Sequence, residues 1–233
     1  MIQLVLRIIL NKDDLIVTKS QTQKPLKNIQ GHSSVLDVFA VDKNNTQYNI
    51  EVQSRSDGAR PKRARYYSSL LDSNAILPQE EYESLPETYV IFFTANDIFG
   101  KDLPLYTVNR TVDELGHMPF NDDEHIIYVN GSYNDDTPLG RLVHDFKCKI
   151  PSEMFYTQLA ERAHDLKEMN GGNANMCQIV EELNAKASKM TAEQTALRML
   201  KRKKLTLEEI SEYSGLTLDE VKAIAAEAEK MNA

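Results

Sequence analysis

The sequence predicts an α/β protein with a mixed central sheet, followed by an α-helical C-terminal region. Residues 88–96, TYVIFFTAN, form a short and continuously apolar run. Such a run is typical of a strand that is covered on both faces in a parallel or mixed sheet. Residues 36–53 have the pattern of a β-hairpin, because two largely apolar strands flank the turn-forming stretch DKNN. After Pro151 the apolar residues recur at helical spacing instead.

The same criteria give the remaining elements in chain order. Residues 2–10 are expected to form a helix, and residues 15–25 a strand that runs into a polar loop. The acid-rich stretch 110–150 is expected to be a solvated surface around one further strand. The other predicted elements are a helix from about Lys62, that strand at 124–133, and helices at 152–170 and 176–200, the first of them with Phe155, Leu159, Ala163 and Leu166 in its apolar pattern.

Composition limits the classes of function. The 233 residues suit one domain with an appendage, and the net charge of −8 means that nucleic acid would have to bind through a local basic patch. The two cysteines, Cys148 and Cys177, exclude a zinc ribbon and a disulfide framework. With no secretory signal, we expect a cytoplasmic protein. The apolar start, MIQLVLRIIL, is too short to cross a bilayer, so no membrane partner is expected.

The C-terminal tail carries the signals of two short helices joined by a tight turn. Two capping boxes begin at Thr206 and Thr217, and Gly215 lies between them. The length suits a helix-turn-helix module that contacts DNA, and residues 198–204 are rich in Lys and Arg. The second helix is acid-rich, however, so a packing or dimerising hairpin is an equally open alternative. We therefore expect a core at 1–150 and a helical region at 151–233 through which a homodimer could form.

Polar side chains occupy one face of the predicted hairpin. If residues 43–45 form its loop, the numbers of cross-strand partners add up to 88, and Asp37 faces Glu51. Alternation then places Gln53 on the same face as Glu51. A two-residue loop would instead put the two acids on opposite faces of the hairpin.

Two opposed carboxylates in a semi-buried sheet repel each other and are costly to desolvate, so something must compensate them. The compensation could be a shared proton, a basic partner or a metal ion. Oxygen ligands at this spacing suit a hard cation such as Mg²⁺ or Mn²⁺, which can bind a phosphate oxygen and activate water. In the structural alternative, Asp37 lies at a strand edge and Glu51 pairs with an arginine from the following helix.

A basic segment follows the acidic pair directly. Residues 54–67 carry five basic side chains against the single acid Asp57, and such a segment beside a metal site suits a polyanion backbone. Tyr66 and Tyr67 add hydroxyl groups and flat rings. An ordinary solvated helix start with core tyrosines is the alternative. The basic residues are Arg55, Arg60, Lys62, Arg63 and Arg65.

Taken together, D-x13-E-x-Q on a hairpin and R-x-x-Y-Y at the start of a helix resemble the PD-(D/E)XK nuclease superfamily. More narrowly, the chain resembles the recombination-promoting nuclease/putative transposase group. The likeness continues in LPETYVIFFTANDIFGKDLPLYTVNR, in EHIIYVNGSYNDDTPLGRLVHDFKC and in PSEMFYTQLAERAHDLKEMNGG. It covers residues 1 to about 185, although relatives begin earlier and this N-terminus is expected to be shortened.

The resemblance implies a restriction-endonuclease-like αβββαβ core and a metal-dependent DNA endonuclease. Asp37 and Glu51 would be the metal ligands, with the Val52 carbonyl completing the shell. Gln53 would take the place of the lysine found in most of the superfamily, and a neutral amide cannot supply positive charge to the transition state. Arg63 and Tyr67 would contact the scissile phosphate or brace the site. The Gln and the shortened N-terminus leave open an alternative, a non-catalytic DNA-binding or scaffold remnant.

Overall fold

The computed structural model describes residues 1–26, 34–53, 56–170, 192–193, 195–200 and 205–230. The chain divides into two compact units, residues 1–181 and 182–233, and each is described by itself. The functional division expected at residue 150 stays a prediction. Arg55 and Cys177 lie outside the described residues, as do Lys201 to Lys204 of the basic stretch before the tail.

The described part of the first unit is built on a mixed sheet of six strands in the order β1-β2-β3-β4-β8-β5. The pairs β3–β4 and β4–β8 are parallel and the other neighbours are antiparallel, which confirms the predicted mixed α/β fold. β6 and β7 form a separate two-stranded ribbon. The strands are β1 (Val17–Leu26), β2 (Ser34–Asp42), β3 (Gln47–Gln53), β4 (Thr88–Thr94), β5 (Leu105–Val108), β6 (Thr111–Val112), β7 (Met118–Pro119) and β8 (Glu124–Asn130).

Helices cover both faces of this sheet. On one face, α1 (Ile2–Leu10), α3 (Pro138–Lys147) and α4 (Thr157–Asn170) contribute to one apolar cluster. On the other face, α2 (Pro61–Ala75) packs over a second cluster. Every residue of β4 is buried, as the unbroken apolar run predicts for a strand with a neighbour on each side and helices above and below.

The β2–β3 hairpin has the predicted register. Val38 pairs with Ile50 and Val41 with Gln47, so partner numbers add up to 88. Residues 43–45 form the loop, in which Asn45 adopts a left-handed conformation with φ of 67°. Asn tolerates this region better than most residues, which explains why an Asn-rich stretch closes the hairpin.

Three features of the first unit differ from expectation. β1 continues to Leu26, through polar residues that were expected to lead into a loop, because an edge strand pairs through its backbone and its side chains stay exposed. Residues 138–147 form α3, whose Leu142 and Val143 are fully buried, although this stretch was expected to be solvated surface. Phe155 lies before α4 and is 56% exposed, because the Asp145 carboxylate accepts its backbone N–H and holds it outside the helix.

The second unit contains α5 (Leu207–Ser214) and α6 (Leu218–Lys230), joined through Gly215 with φ of 75°. Thr206 and Glu209 cap each other, and so do Thr217 and Glu220, as predicted. Residues 195–200 are also helical, and Ala196 packs with Ile210 and Val221 in a small apolar cluster. Within the described ranges, no helix combines the length and apolar character that a membrane span requires.

Candidate functional site

The side chains of Asp37 and Glu51 bridge the two strands where the hairpin ladder stops. The last paired residues are Val38 and Ile50. Beyond them side chains replace the backbone pairing: the Val52 N–H donates to Asp37 Oδ2 at 3.0 Å, and the Asp37 N–H donates to Glu51 Oε1 at 3.2 Å. The two acids therefore lie together between the strands, on the side of the sheet that α2 covers.

β1 departs from regular strand geometry at Gln23, opposite Asp37. On the β1 side, Lys24 pairs with Leu36 and Thr22 pairs with Val38, so Gln23 lies opposite Asp37. Gln23 has a φ of 54°, a left-handed conformation that costs a residue of this type about 1–2 kcal/mol. Strain of this kind concentrates at functional positions.

Burial and neighbouring charges shift the pKa of Glu51 strongly. Glu51 is 0% exposed and Asp37 is 8% exposed. Burial, followed by the nearby Asp37 charge, raises the pKa of Glu51 to about 8, although the Arg63 charge opposes both. Glu51 therefore tends to hold a proton at neutral pH unless further positive charge is supplied. A shared proton and a basic partner, two of the expected forms of compensation, are both consistent with this geometry.

Arg63 of α2 connects the polar groups of this site. Its Nη2 atom lies 3.5 Å from Glu51 Oε2, and its Nη1 atom donates to the Gly58 carbonyl at 2.9 Å and to Gln53 Oε1 at 3.4 Å. Nε and Nη2 donate to the Tyr67 hydroxyl at 3.0 and 2.6 Å. The structure thus brings together Asp37, Glu51, Gln53, Arg63 and Tyr67, all of which the sequence singled out. Part of the structural alternative is also present, since Glu51 does contact an arginine of the next helix.

Tyr67 is held within the core beneath α2. It is 4% exposed and stacks on Phe92 with ring centroids 6.2 Å apart. Burial, followed by the Glu51 charge, raises the pKa of its hydroxyl to about 12. Tyr67 therefore stays protonated and serves as a rigid hydrogen-bond acceptor for the Arg63 guanidinium.

The other described basic residues at the start of α2 are exposed to solvent. Arg60, Lys62 and Arg65 are exposed, whereas Arg63 is only partly exposed and turned inward. No acidic residue lies in the first turn of the helix to offset them. The start of α2 consequently presents a positive surface next to the buried acids.

The donor set fits a hard divalent cation. Backbone carbonyls alternate in direction along a strand. The Gln53 carbonyl accepts the Ala95 N–H of the β4 side at 3.0 Å, so the Val52 carbonyl is directed to the β2 side, where the acids lie. Two carboxylates and one carbonyl are ligands of the type that Mg²⁺ or Mn²⁺ prefers. Within the described residues no three Asp, Glu, His or Cys side chains converge, so water or substrate would complete the shell.

The sequence analysis did not identify two residues that lie at the site, Gly58 and Asn49. A Cβ atom added to Gly58 would lie 2.0 Å from Gln53 Oε1, so glycine leaves room for this amide in its present position. No sequence signal marks Gly58, because the contact depends on how the loop folds back over β3. Asn49 is fully buried on the face of β3 that carries Glu51 and Gln53, and the two-residue period of the strand could have identified it.

The family comparison gives a direct identification. A family model described as PD-(D/E)XK nuclease family transposase matches residues 2–133, more than half of the 233 residues. A search of curated proteins and a search of solved structures gave no significant match. The matched range runs from α1 through β8 and contains all the residues that converge on the acidic pair. The chain belongs to the PD-(D/E)XK nuclease family transposases.

Proposed function

We propose that this protein is a metal-dependent endonuclease that hydrolyses phosphodiester bonds in DNA, within the nuclease and transposase-related function of its family. The observation that carries the proposal is that the buried Asp37 and Glu51 carboxylates both accept backbone N–H groups across the end of the β2–β3 ladder, Asp37 from Val52 and Glu51 from Asp37. Two buried acids this close repel each other when both are charged, and in the described part of the chain the Arg63 guanidinium lies 3.5 Å from Glu51. A divalent cation would add positive charge next to both acids.

The residues of the site have complementary roles. Asp37, Glu51 and the Val52 carbonyl would hold Mg²⁺ or Mn²⁺. When bound, such an ion polarises a phosphate oxygen and lowers the pKa of a coordinated water. Gln53 accepts a hydrogen bond from Arg63 and orients the attacking water or the phosphate. The guanidinium of Arg63, rather than a lysine at position 53, provides positive charge next to the reacting phosphate.

DNA binding is assigned to the exposed basic start of α2. Because Arg60, Lys62 and Arg65 face solvent, they engage phosphates of the backbone, and Arg55 is included in the same role although it lies outside the described residues. Replacing Arg60, Lys62 and Arg65 together by Ala is expected to weaken DNA binding at low salt about 10-fold or more and to reduce the log–log salt slope by about 2–3. Fluorescence anisotropy over a salt series measures both. Lys43→Ala, at the hairpin turn away from the acids, is the control and should change neither quantity.

The central experiment is a plasmid-nicking assay combined with calorimetry. The proposal requires that the purified protein converts supercoiled DNA to nicked or linear DNA with Mg²⁺, and that EDTA abolishes this. Mn²⁺ should bind with measurable heat, and Glu51→Gln should remove that binding. Binding of Mn²⁺ without any cleavage over a range of DNA substrates would contradict the endonuclease.

A second candidate is the non-catalytic DNA-binding or scaffold remnant. It is favoured by the way Arg63 already contacts Glu51, Gln53 and Tyr67, since a guanidinium in that position can neutralise the acid without a metal. This candidate requires DNA binding that survives EDTA together with no heat of Mn²⁺ binding. The same two measurements therefore separate the two candidates. A cytoplasmic location and a homodimer through residues 151–233 belong to the proposal in either case.

Substitution of Gly58 tests the role of Gln53. Gly58→Ala is expected to push the Gln53 amide away from Arg63, because the new Cβ would overlap Gln53 Oε1. We expect cleavage to fall about 10-fold, as for a misplaced catalytic group, with a change of less than about 1 kcal/mol in the free energy of unfolding. If the effect passes through Gln53, the double variant Gly58→Ala/Gln53→Ala should cleave at the rate of Gln53→Ala alone. Additive losses in that cycle would assign Gly58 a different role.

A further inference from the structure

Asn49 is a buried polar residue that the proposed mechanism does not use. It lies on β3 two residues before Glu51, so the two side chains share one face of the strand. Its exposed fraction is 0%. Its partners on the neighbouring strands are Phe39 and Val90, both members of the apolar cluster beneath α2. An amide therefore stands between hydrocarbon neighbours at the base of the candidate site.

Neither amide atom of Asn49 has a hydrogen-bond partner among the described residues. Such groups are rare, because burying an amide without replacing its bonds to water is unfavourable. Packing does not explain the choice either, since a branched apolar side chain suits a position between Phe39 and Val90. Because an apolar, strand-favouring residue could take this position, an unpaired amide here indicates a function rather than a contribution to stability.

Glu51 is the ionisable residue next to Asn49 on the same face of β3. One residue separates Asn49 from Glu51 on β3, so the amide and the carboxylate are neighbours on the face of the strand beneath α2. The amide does not meet hydrogen-bond geometry with any group in the described residues.

We propose that Asn49 is a positioning residue whose Nδ2–H group donates to the Glu51 carboxylate and orients it towards a divalent cation shared with Asp37. This inference deepens the proposed function and rests on it. The ligand class is a hard, oxygen-coordinated ion such as Mg²⁺ or Mn²⁺. Hydrogen bonds to ligating carboxylates hold them in coordinating geometry and commonly change metal affinity 10–100-fold.

The test is Asn49→Leu in the full chain, titrated with Mn²⁺ alone by calorimetry. We expect the Kd for Mn²⁺ to rise about 10–100-fold. The melting temperature in EDTA should stay the same or rise, because a leucine of similar volume removes the orphaned amide. A purely structural role for Asn49 predicts the opposite pair of results, a lower melting temperature and an unchanged Kd.

Two further variants keep the test decisive. Asn49→Val offers a smaller, strand-favouring side chain that also lacks the amide, and it should weaken Mn²⁺ binding as Asn49→Leu does. Val90→Ala, beside Asn49 in the same cluster, should lower the melting temperature and leave the Kd unchanged. If the wild type binds Mn²⁺ and the folded Asn49 variants bind it equally well, the role of Asn49 is overturned while the proposed metal-dependent function stands. If the wild type binds no Mn²⁺, the proposed metal-dependent function falls, and the role of Asn49 falls with it.

Discussion

Replacing Glu51 with glutamine is expected to make the metal-free protein more stable while removing its Mg²⁺-dependent DNA cleavage. The two effects have one cause, the buried charge of Glu51 beside Asp37. Glutamine has nearly the same shape and can still accept the Asp37 N–H. It cannot take a negative charge, so it neither repels Asp37 nor binds a cation as a carboxylate does.

The pH dependence of stability follows from the direction of the shift. The pKa of Glu51 rises from 4.5 to about 8 on folding, so between these values the folded protein holds a proton that the unfolded chain has released. Stability of the metal-free wild type therefore falls as the pH rises through this window, by roughly 2–4 kcal/mol for this group. Glu51→Gln has no such proton and loses none of this stability.

Urea unfolding in EDTA at about pH 5 and about pH 9 measures the difference. The midpoint of the wild type should fall between the two conditions more than that of Glu51→Gln. Glu83→Gln, which changes an exposed acid, is the matched control and should retain the wild-type dependence. Cleavage by Glu51→Gln should be reduced about 1,000-fold or more, since a ligand to the metal is lost. A variant that is less stable at high pH and still cleaves DNA would contradict both halves of this prediction.

Much of the fold is predictable where one local rule is sufficient. The register of the β2–β3 hairpin follows from a three-residue turn and the two-residue period of strands, and β4 follows from its unbroken apolar run. α3 was missed because Leu142 and Val143 lie in an acid-rich stretch and only one side of a short helix is apolar. β1 was cut short because the polar side chains of an edge strand carry no alternation.

Local sequence rules also predict only part of the candidate site. Alternation along β3 and the R-x-x-Y-Y spacing locate Glu51, Gln53, Arg63 and Tyr67 on facing surfaces of the strand and the helix. The left-handed Gln23, the space kept by Gly58 and the orphaned amide of Asn49 depend on contacts between segments distant in sequence. These three features lie next to Asp37, Gln53 and Glu51 in the structure. Residue types can therefore be predicted locally, whereas their orientation depends on tertiary contacts.

The Asp37→Asn and Asp37→Ala variants are expected to be equally inactive but unequally stable. Both remove a negative charge that would ligate the cation, so DNA cleavage should fall about 1,000-fold or more in each. Both also relieve the repulsion that raises the pKa of Glu51. They differ in what happens to the Val52 N–H, which donates to Asp37 Oδ2 at 3.0 Å.

Asparagine keeps an acceptor for the Val52 N–H, whereas alanine leaves this buried N–H unpaired. Asp37→Ala should therefore be less stable than Asp37→Asn by about 1–3 kcal/mol, measured by urea unfolding in EDTA. The comparison matters because the acid has two separable tasks, closing the gap at the end of the hairpin ladder and supplying charge to the cation. The Asp37→Asn variant can still close the gap in the ladder but cannot supply charge to the cation. Cleavage by Asp37→Ala at the wild-type rate would rule out the mechanism, and equal stability of the two variants would mean that the Val52 N–H is satisfied in another way.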